Sequence, residues 1–168
     1  MTIAEEVLQR LKAMNIPVET VAHAPVHSID DCAAVDAALG CLTVKNYFLT
    51  TKNQKNFYLC LVRPEARLRT ADISKQVGSS RLSFANEDKL LEIMRVHSGA
   101  VSPMCLLFDS AQAVRLVVDL ALLNVERLAF HPCDNCQTLV MAGSDFFQRF
   151  LPSIGREMQL VEIHDFVS

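Results

Sequence analysis

The sequence predicts an α+β protein with a mixed, mostly antiparallel sheet and flanking helices, and three observations carry that expectation. Segments with helical periodicity alternate with strand-like segments, a short polar loop joins two of the strand-like runs, and no repeat, low-complexity tract or linker divides the chain. A single domain over residues 1–168 is therefore expected. Hydrophobic residues make up 51% and charged residues 21% of the 168 residues. A chain of this length buries roughly two thirds of its unfolded surface, so its core needs neither disulfide nor metal. The formal charge of −3 argues against a broad basic face for DNA or other long nucleic acids, and leaves room for a local patch aimed at one phosphate cluster.

Each element has a local cause. Thr2-x-x-Glu5 has capping-box spacing, and Ile3, Val7, Leu8, Leu11 and Met14 mark one face of a helix that ends near Asn15, before Pro17. Val18 to His23 is a short strand. Ser28-x-x-Asp31 repeats the capping logic ahead of an alanine-rich helix that Gly40 can close. Cys41 to Thr51 and Phe57 to Val62 are rich in β-branched, aromatic and aliphatic residues, and Lys52 to Asn56 between them suits a hairpin loop. Thr70 to Val77, closed by Gly78, and Asn86 to Val96, closed by Ser98-Gly99, read as two more helices. Strands follow at Val114–Leu120, Val125–Phe130 and Thr138–Met141. Ser144 is then the expected cap of a helix reaching Ile154, and Met158–Ile163 is the last strand.

The acidic N-terminal residues and the lack of a membrane-length apolar run lead to an expectation of a soluble, cytoplasmic protein with no membrane partner. Its six cysteines, Cys32, Cys41, Cys60, Cys105, Cys133 and Cys136, fall mostly inside apolar segments and are expected to be reduced.

Four features could carry chemistry. Lys45 and Asn46 interrupt a strand-like run, and a period of two sends them to opposite faces. Such a lysine either snorkels off an edge or holds its ammonium in a cleft for phosphate or carboxylate. In Gly99-Ala100-Val101-Ser102-Pro103, glycine and proline bracket three small residues. That loop is either a simple turn or a nest of backbone N–H groups for an oxyanion or phosphate. Phe130 to Thr138 gathers His131, Asn135 and Thr138 around Cys133-x-x-Cys136. Zinc there lacks a second cysteine pair, and a thioredoxin-type motif would open a helix rather than bridge strands, so ordinary loop cysteines are expected. Arg63, Arg67, Arg69, Lys75 and Arg81 face only Glu65 and Asp72 across the same stretch, which reads as a nucleic-acid contact or as a solvated surface. No Ser/His/Asp order, glycine-rich nucleotide loop or metal-binding His pair is present, and His23 and His27 read as loop imidazoles.

In combination, His23-Ala24-Pro25-Val26, Lys45-Asn46-Tyr47-Phe48-Leu49, Gly99 to Pro103 and Phe130-His131-Pro132 through Asn135 and Thr138 resemble the bacterial YbaK-type aminoacyl-tRNA deacylase superfamily along nearly the whole chain. Within it the sequence is most similar to free-standing relatives of the prolyl-tRNA synthetase editing domain, which remove alanine mischarged onto proline tRNA. The resemblance implies a partly barrel-like sheet, no cofactor or metal, and a partner in the 3′ aminoacyl end of tRNA. A synthetase or elongation factor is a further partner it admits. It also implies that an ordered water attacks the ester, with the terminal adenosine's own hydroxyl helping to place it, while backbone N–H groups from Gly99 through Ala100 to Ser102 hold the oxyanion.

On the same resemblance, Lys45 clamps the terminal phosphate or carbonyl region, and Asn46 and His131 orient the adenosine or aminoacyl group. Val101, Pro103, Asn135 and Thr138 shape the wall. Specificity would be size exclusion: losing a few methylenes costs only about 1–3 kcal/mol in discrimination, so a synthetase built for proline cannot strongly reject alanine, and a second, smaller pocket that excludes proline restores accuracy. Deacylation of another small amino acid such as cysteine or serine, a non-catalytic tRNA or synthetase-binding module, and a thiol switch on Cys133 and Cys136 are the alternatives.

Overall fold

The computed structural model describes residues 2–22, 40–97, 99–108, 113–134 and 136–166. The first helix, α1 (Ile3–Ala13), starts at the expected capping box: the Thr2 hydroxyl accepts from the Glu5 N–H at 3.1 Å, and the Glu5 carboxylate accepts from the Thr2 N–H at 2.9 Å. Ala4, Val7 and Leu11 form its buried stripe, and Asn15 leaves the helix at φ 59°. The strands are β1 (Glu19–Ala22), β2 (Leu42–Thr43), β3 (Lys45–Thr51), β4 (Phe57–Val62), β5 (Leu82–Phe84), β6 (Val114–Asp119), β7 (Arg127–Phe130), β8 (Gln137–Ala142) and β9 (Met158–Val161). Helix α2 (Thr70–Val77) ends at Gly78, whose φ of 71° is the left-handed stop its sequence suggested. The helix expected from Ser28 to Gly40 lies outside the described residues.

The strands build two mixed sheets in the orders β1-β8-β7-β2 and β5-β3-β4-β6-β9. Antiparallel pairs are β1–β8, β7–β8, β3–β4 and β3–β5, whereas β2–β7, β4–β6 and β6–β9 are parallel. The sheet is thus mixed as expected, but it is divided in two, and neither part closes into a barrel. The main core takes Phe48 of β3, Leu59 and Leu61 of β4, Leu116 and Val118 of β6, and Leu128, Phe130, Leu139 and Met141 of the other sheet. Alternate residues of β3, β4 and β6, including Leu49, Tyr58, Cys60, Val62 and Val117, pack on the far side with Ile73, Leu82, Val161 and Ile163. Burial on both faces explains why β4 reads Phe-Tyr-Leu-Cys-Leu-Val with no polar alternation. Desolvation, with the Asp119 carboxylate nearby, pushes the Cys60 thiol up to about 12, so it stays protonated and inert.

Several boundaries differ from the sequence reading. The short strand β5 escaped it, because three residues between two helices are too few to show a period. Helix α3 (Glu87–Met94) is capped by Asn86 and stops at Arg95, φ 64°, ahead of the expected Ser98-Gly99. A 3-10 helix covers Pro103–Phe108 and a second follows β6 at Leu120–Asn124. Near the C-terminus, α4 (Gly143–Asp145), a π-helical turn at Phe146–Phe150 and α5 (Leu151–Ser153) run together. Ser144 is inside this segment, and Ala142 takes the cap position. Phe146 and Phe150 are both fully buried in the π turn with their rings 5.6 Å apart.

Gly143 begins the segment because its N–H donates to the Glu126 carbonyl at 2.8 Å and its α-carbon lies against the Val125 carbonyl oxygen, into which a Cβ would be driven. Gly143→Ala is expected to lower the unfolding free energy by about 1–3 kcal/mol, the usual range for forced overpacking, as read from urea denaturation.

Candidate active site

One backbone crossing positions the first pair of candidate residues. Leu42 and Thr43 pair in parallel with Leu128 and Ala129 in the first sheet, and the Val44 N–H donates to the Ala129 carbonyl at 3.1 Å. From Lys45 onward the same extended chain belongs to the second sheet, between β4 and β5. Lys45 and Asn46 therefore leave the seam between the sheets on opposite faces. Lys45 shares its face with Tyr47 and Leu49; its half-buried ammonium donates to the Ala66 carbonyl at 3.4 Å and lies 5.2 Å from the Tyr47 ring centroid. At Lys45 the strand pairs with β4 alone, since β5 joins it only from Leu49 onward, and the lysine is half-buried rather than free in solvent. Asn46 turns toward the main core with Phe48. Its Nδ2 donates to the Val44 carbonyl at 3.1 Å, and its Oδ1 is buried without a donor among the described residues. A dry acceptor left unpaired costs about 1–3 kcal/mol, which a ligand's N–H or O–H would recover.

The loop from Gly99 to Pro103 follows α3 and packs Ala100 and Val101 against the main core. Gly99 adopts φ 93°, which only glycine takes readily. The Ala100 N–H is taken up by the His97 carbonyl at 3.2 Å. Ser102 is fully buried: its hydroxyl accepts from the Met104 N–H at 3.1 Å and its carbonyl from the Cys105 N–H at 2.9 Å. With Pro103 buried behind it, Ser102 caps the 3-10 helix, so its side chain holds the loop's exit and is not an exposed nucleophile. Among the described residues, the loop N–H groups with no acceptor are those of Gly99, Val101 and Ser102.

The second loop begins where β7 ends. Carrying the pairing of Phe130 with Leu139 one step further sets His131 opposite Thr138 at the end of the first sheet, whereas Lys45 already belongs to the second. The His131 ring is nearly buried, with Nδ1 3.0 Å from the Gln137 carbonyl. A carbonyl only accepts, so Nδ1 carries a proton. Thr138 is buried in β8, and Asn135 lies outside the described residues.

The two loops are joined by a contact that sequence reading missed. Cys133 pairs with Cys105, sulfur to sulfur at 3.0 Å, rather than with the Cys136 that its spacing suggested. Burial and the hydrogen bond to Cys105 hold the Cys133 thiol protonated. Among the described residues no group of three His, Cys, Asp or Glu side chains is arranged to hold a metal ion. The basic stretch divides: Arg63 pairs with the buried Asp119 carboxylate at 2.8 Å and Arg69 with Asp165 at 2.6 Å, while Arg81 lines an open cleft with Lys52 and the exposed Phe84. No described helix is long and apolar enough to cross a membrane.

Main-chain N–H groups, an ammonium and an imidazole are each groups that can bind an oxyanion or phosphate. Comparison with known proteins gives the family. The model of the aminoacyl-tRNA editing domain matches residues 23–148, and the chain belongs to that family. The prolyl-tRNA editing protein ProX of Acetoanaerobium sticklandii is 28% identical over 163 residues, covering 97% of this chain and 99% of that protein. The prolyl-tRNA synthetase associated domain-containing protein 1 of Mus musculus is 35% identical over 145 residues, 84% of this chain and 85% of the other. The crystal structure of a suggested trans-editing enzyme for prolyl tRNA synthetase shares the fold, with a TM-score of 0.74 at 17% identity over 98% of both chains. The chain is accordingly a tRNA-editing deacylase, a hydrolase of the ester between a mischarged amino acid and tRNA.

Removing the Ser102 hydroxyl should loosen the loop's exit. Ser102→Ala is expected to cost about 1–2 kcal/mol of stability in chemical denaturation, the range for a lost cap.

Proposed function

We propose that this deacylase acts in trans on alanine mischarged onto proline tRNA, and that its reaction runs at the seam between the two sheets. The observation that carries this reading is the Asn46 Oδ1 at that seam, a buried acceptor without a donor among the described residues and suited to the ammonium or a ribose hydroxyl of an aminoacylated RNA end. The names of the prolyl-tRNA editing protein and the prolyl-tRNA synthetase associated domain support proline tRNA as the carrier. The choice of alanine follows from size: a pocket built for proline cannot strongly reject a smaller side chain, and a second pocket too small for a pyrrolidine ring restores accuracy. Ala100 and Val101, packed on the core, suit the wall of such a pocket.

In this mechanism water attacks the ester carbonyl and the carbonyl oxygen gathers negative charge. The N–H groups of Gly99, Val101 and Ser102 are the loop donors that could receive it, since the Ala100 N–H is bound to His97. Lys45 offers a point charge to the terminal phosphate or the carbonyl region, exchanging its 3.4 Å bond to Ala66 for the substrate. His131, held through Nδ1 by the Gln137 carbonyl, helps orient the adenosine or aminoacyl group. Val101, Pro103, Asn135 and Thr138 complete the wall. Arg81 and Lys52 beside Phe84 supply charge and an aromatic face for the RNA leading to the site. A synthetase or elongation factor would deliver the charged tRNA.

The test is deacylation by the purified protein across a small panel of aminoacyl-tRNAs. Alanine should be released from proline tRNA and proline spared. Release of cysteine or serine in place of alanine would reassign the pocket, and tight tRNA binding without hydrolysis would leave a binding module. Lys45→Ala should retain the wild-type circular dichroism spectrum and lose about 10–100-fold in turnover, the worth of one charge-assisted hydrogen bond.

A further inference from the structure

Cys105 and Cys133 stand 28 positions apart in the sequence, yet their sulfurs are 3.0 Å apart, closer than non-bonded sulfurs ordinarily pack. Each belongs to one of the two loops described above. Cys105 lies in the 3-10 helix that follows Gly99–Pro103, and its sulfur also reaches the Ala100 carbonyl at 4.0 Å. Cys133 lies in the turn after His131, at φ 61°. That left-handed conformation costs a residue with a Cβ about 1–2 kcal/mol, so the surroundings hold the turn in place. One of them is the Asp134 carboxylate, which accepts from the Cys136 N–H at 2.8 Å. Zinc does not fit this pair: two sulfurs bound to one tetrahedral zinc at about 2.3 Å each stand roughly 3.7 Å apart.

We propose that Cys105 and Cys133 form a reversible disulfide clasp that joins the two loops and lowers hydrolytic turnover when it closes. The bond itself stands on the sulfur geometry; its effect on turnover rests on the functional reading above. With hydrogen peroxide as oxidant, both S–H bonds break and one S–S bond forms. The two sulfur electrons reduce the peroxide O–O bond, and the two thiol protons leave in two molecules of water. A small dithiol such as dithiothreitol reverses the bond by exchange.

Closure draws the sulfurs from 3.0 Å to about 2.05 Å. That displacement falls on the segment that fixes the backbone donors of the Gly99 loop, and a misplacement near 1 Å at a reacting centre can cost about a hundredfold. Both sulfurs are buried and the Cys133 thiol is held protonated, so oxidation requires the pair to reach the oxidant and one thiol to shed its proton first.

The test uses the full chain, oxidised with hydrogen peroxide, alkylated and mapped by mass spectrometry. A Cys105–Cys133 cross-linked peptide that dithiothreitol releases is expected. A Cys133–Cys136 bridge, or no intramolecular disulfide, overturns the clasp. In parallel, turnover of alanyl-tRNA for proline should fall about tenfold or more on oxidation and recover with dithiothreitol, and the turnover of folded Cys105→Ser should not respond to peroxide. A mapped bridge with unaltered turnover overturns the control of activity. A reduced protein that cleaves no aminoacyl-tRNA overturns the functional reading, whereas the mapping decides the bond by itself. Wild-type mapping needs no variant, so a misfolded substitution leaves that decision intact.

Discussion

The hydrogen bond from Val44 to the Ala129 carbonyl marks the point on which the rest of the site depends. On one side of it the chain is the edge strand of a four-stranded sheet; on the other it is an interior strand of a five-stranded one. A strand shared in this way cannot slip, because moving it by one residue would exchange the faces of Phe48 and Leu49, both buried in separate cores. The register that protects those cores also fixes where Lys45 and Asn46 emerge. An ammonium and a dry amide oxygen are thereby placed on either side of a rigid seam, with the price of their burial met by the packing around them.

The two loops that flank the seam are held by different means. The Gly99 loop is fixed at its entry by Ala100 on His97 and at its exit by Ser102 capping the 3-10 helix. The His131 turn is fixed by the Gln137 carbonyl and by the continuation of the β7–β8 ladder. Their direct link is the sulfur pair, which is the softest of these contacts and the one whose chemistry can change. On the proposed mechanism, a site that works through positioned backbone donors is sensitive to such a change.

Much of the fold was legible because its signals are local. The capping box at Thr2 and Glu5, the left-handed stop at Gly78, the cap at Asn86 and the polar loop between β3 and β4 each depend on residues within a few positions of one another. Misplaced boundaries have equally local causes. Arg95 provides the helix stop that was expected at Ser98-Gly99, and Gly143 is required by the Val125 carbonyl, a contact no window around Ser144 contains. The candidate site was legible in its membership more than in its roles. Residue types and spacing drew attention to Lys45, the Gly99 loop and the His131 turn, but could not show that the Ala100 N–H is already bonded or that Ser102 is a buried cap.

By itself the sequence determined most of the described helices and strands, that Lys45 and Asn46 would diverge, and which family the chain resembles, because these follow from short-range periodicity and from motifs in order. Tertiary structure alone decided that one strand serves two sheets, that Asn46 Oδ1 has no donor among the described residues, and that Cys133 meets Cys105, 28 positions away. The physical reason is the same in each case. Burial and pairing between distant segments are set by how two sheets pack around a shared core, and sequence spacing carries no measure of that distance.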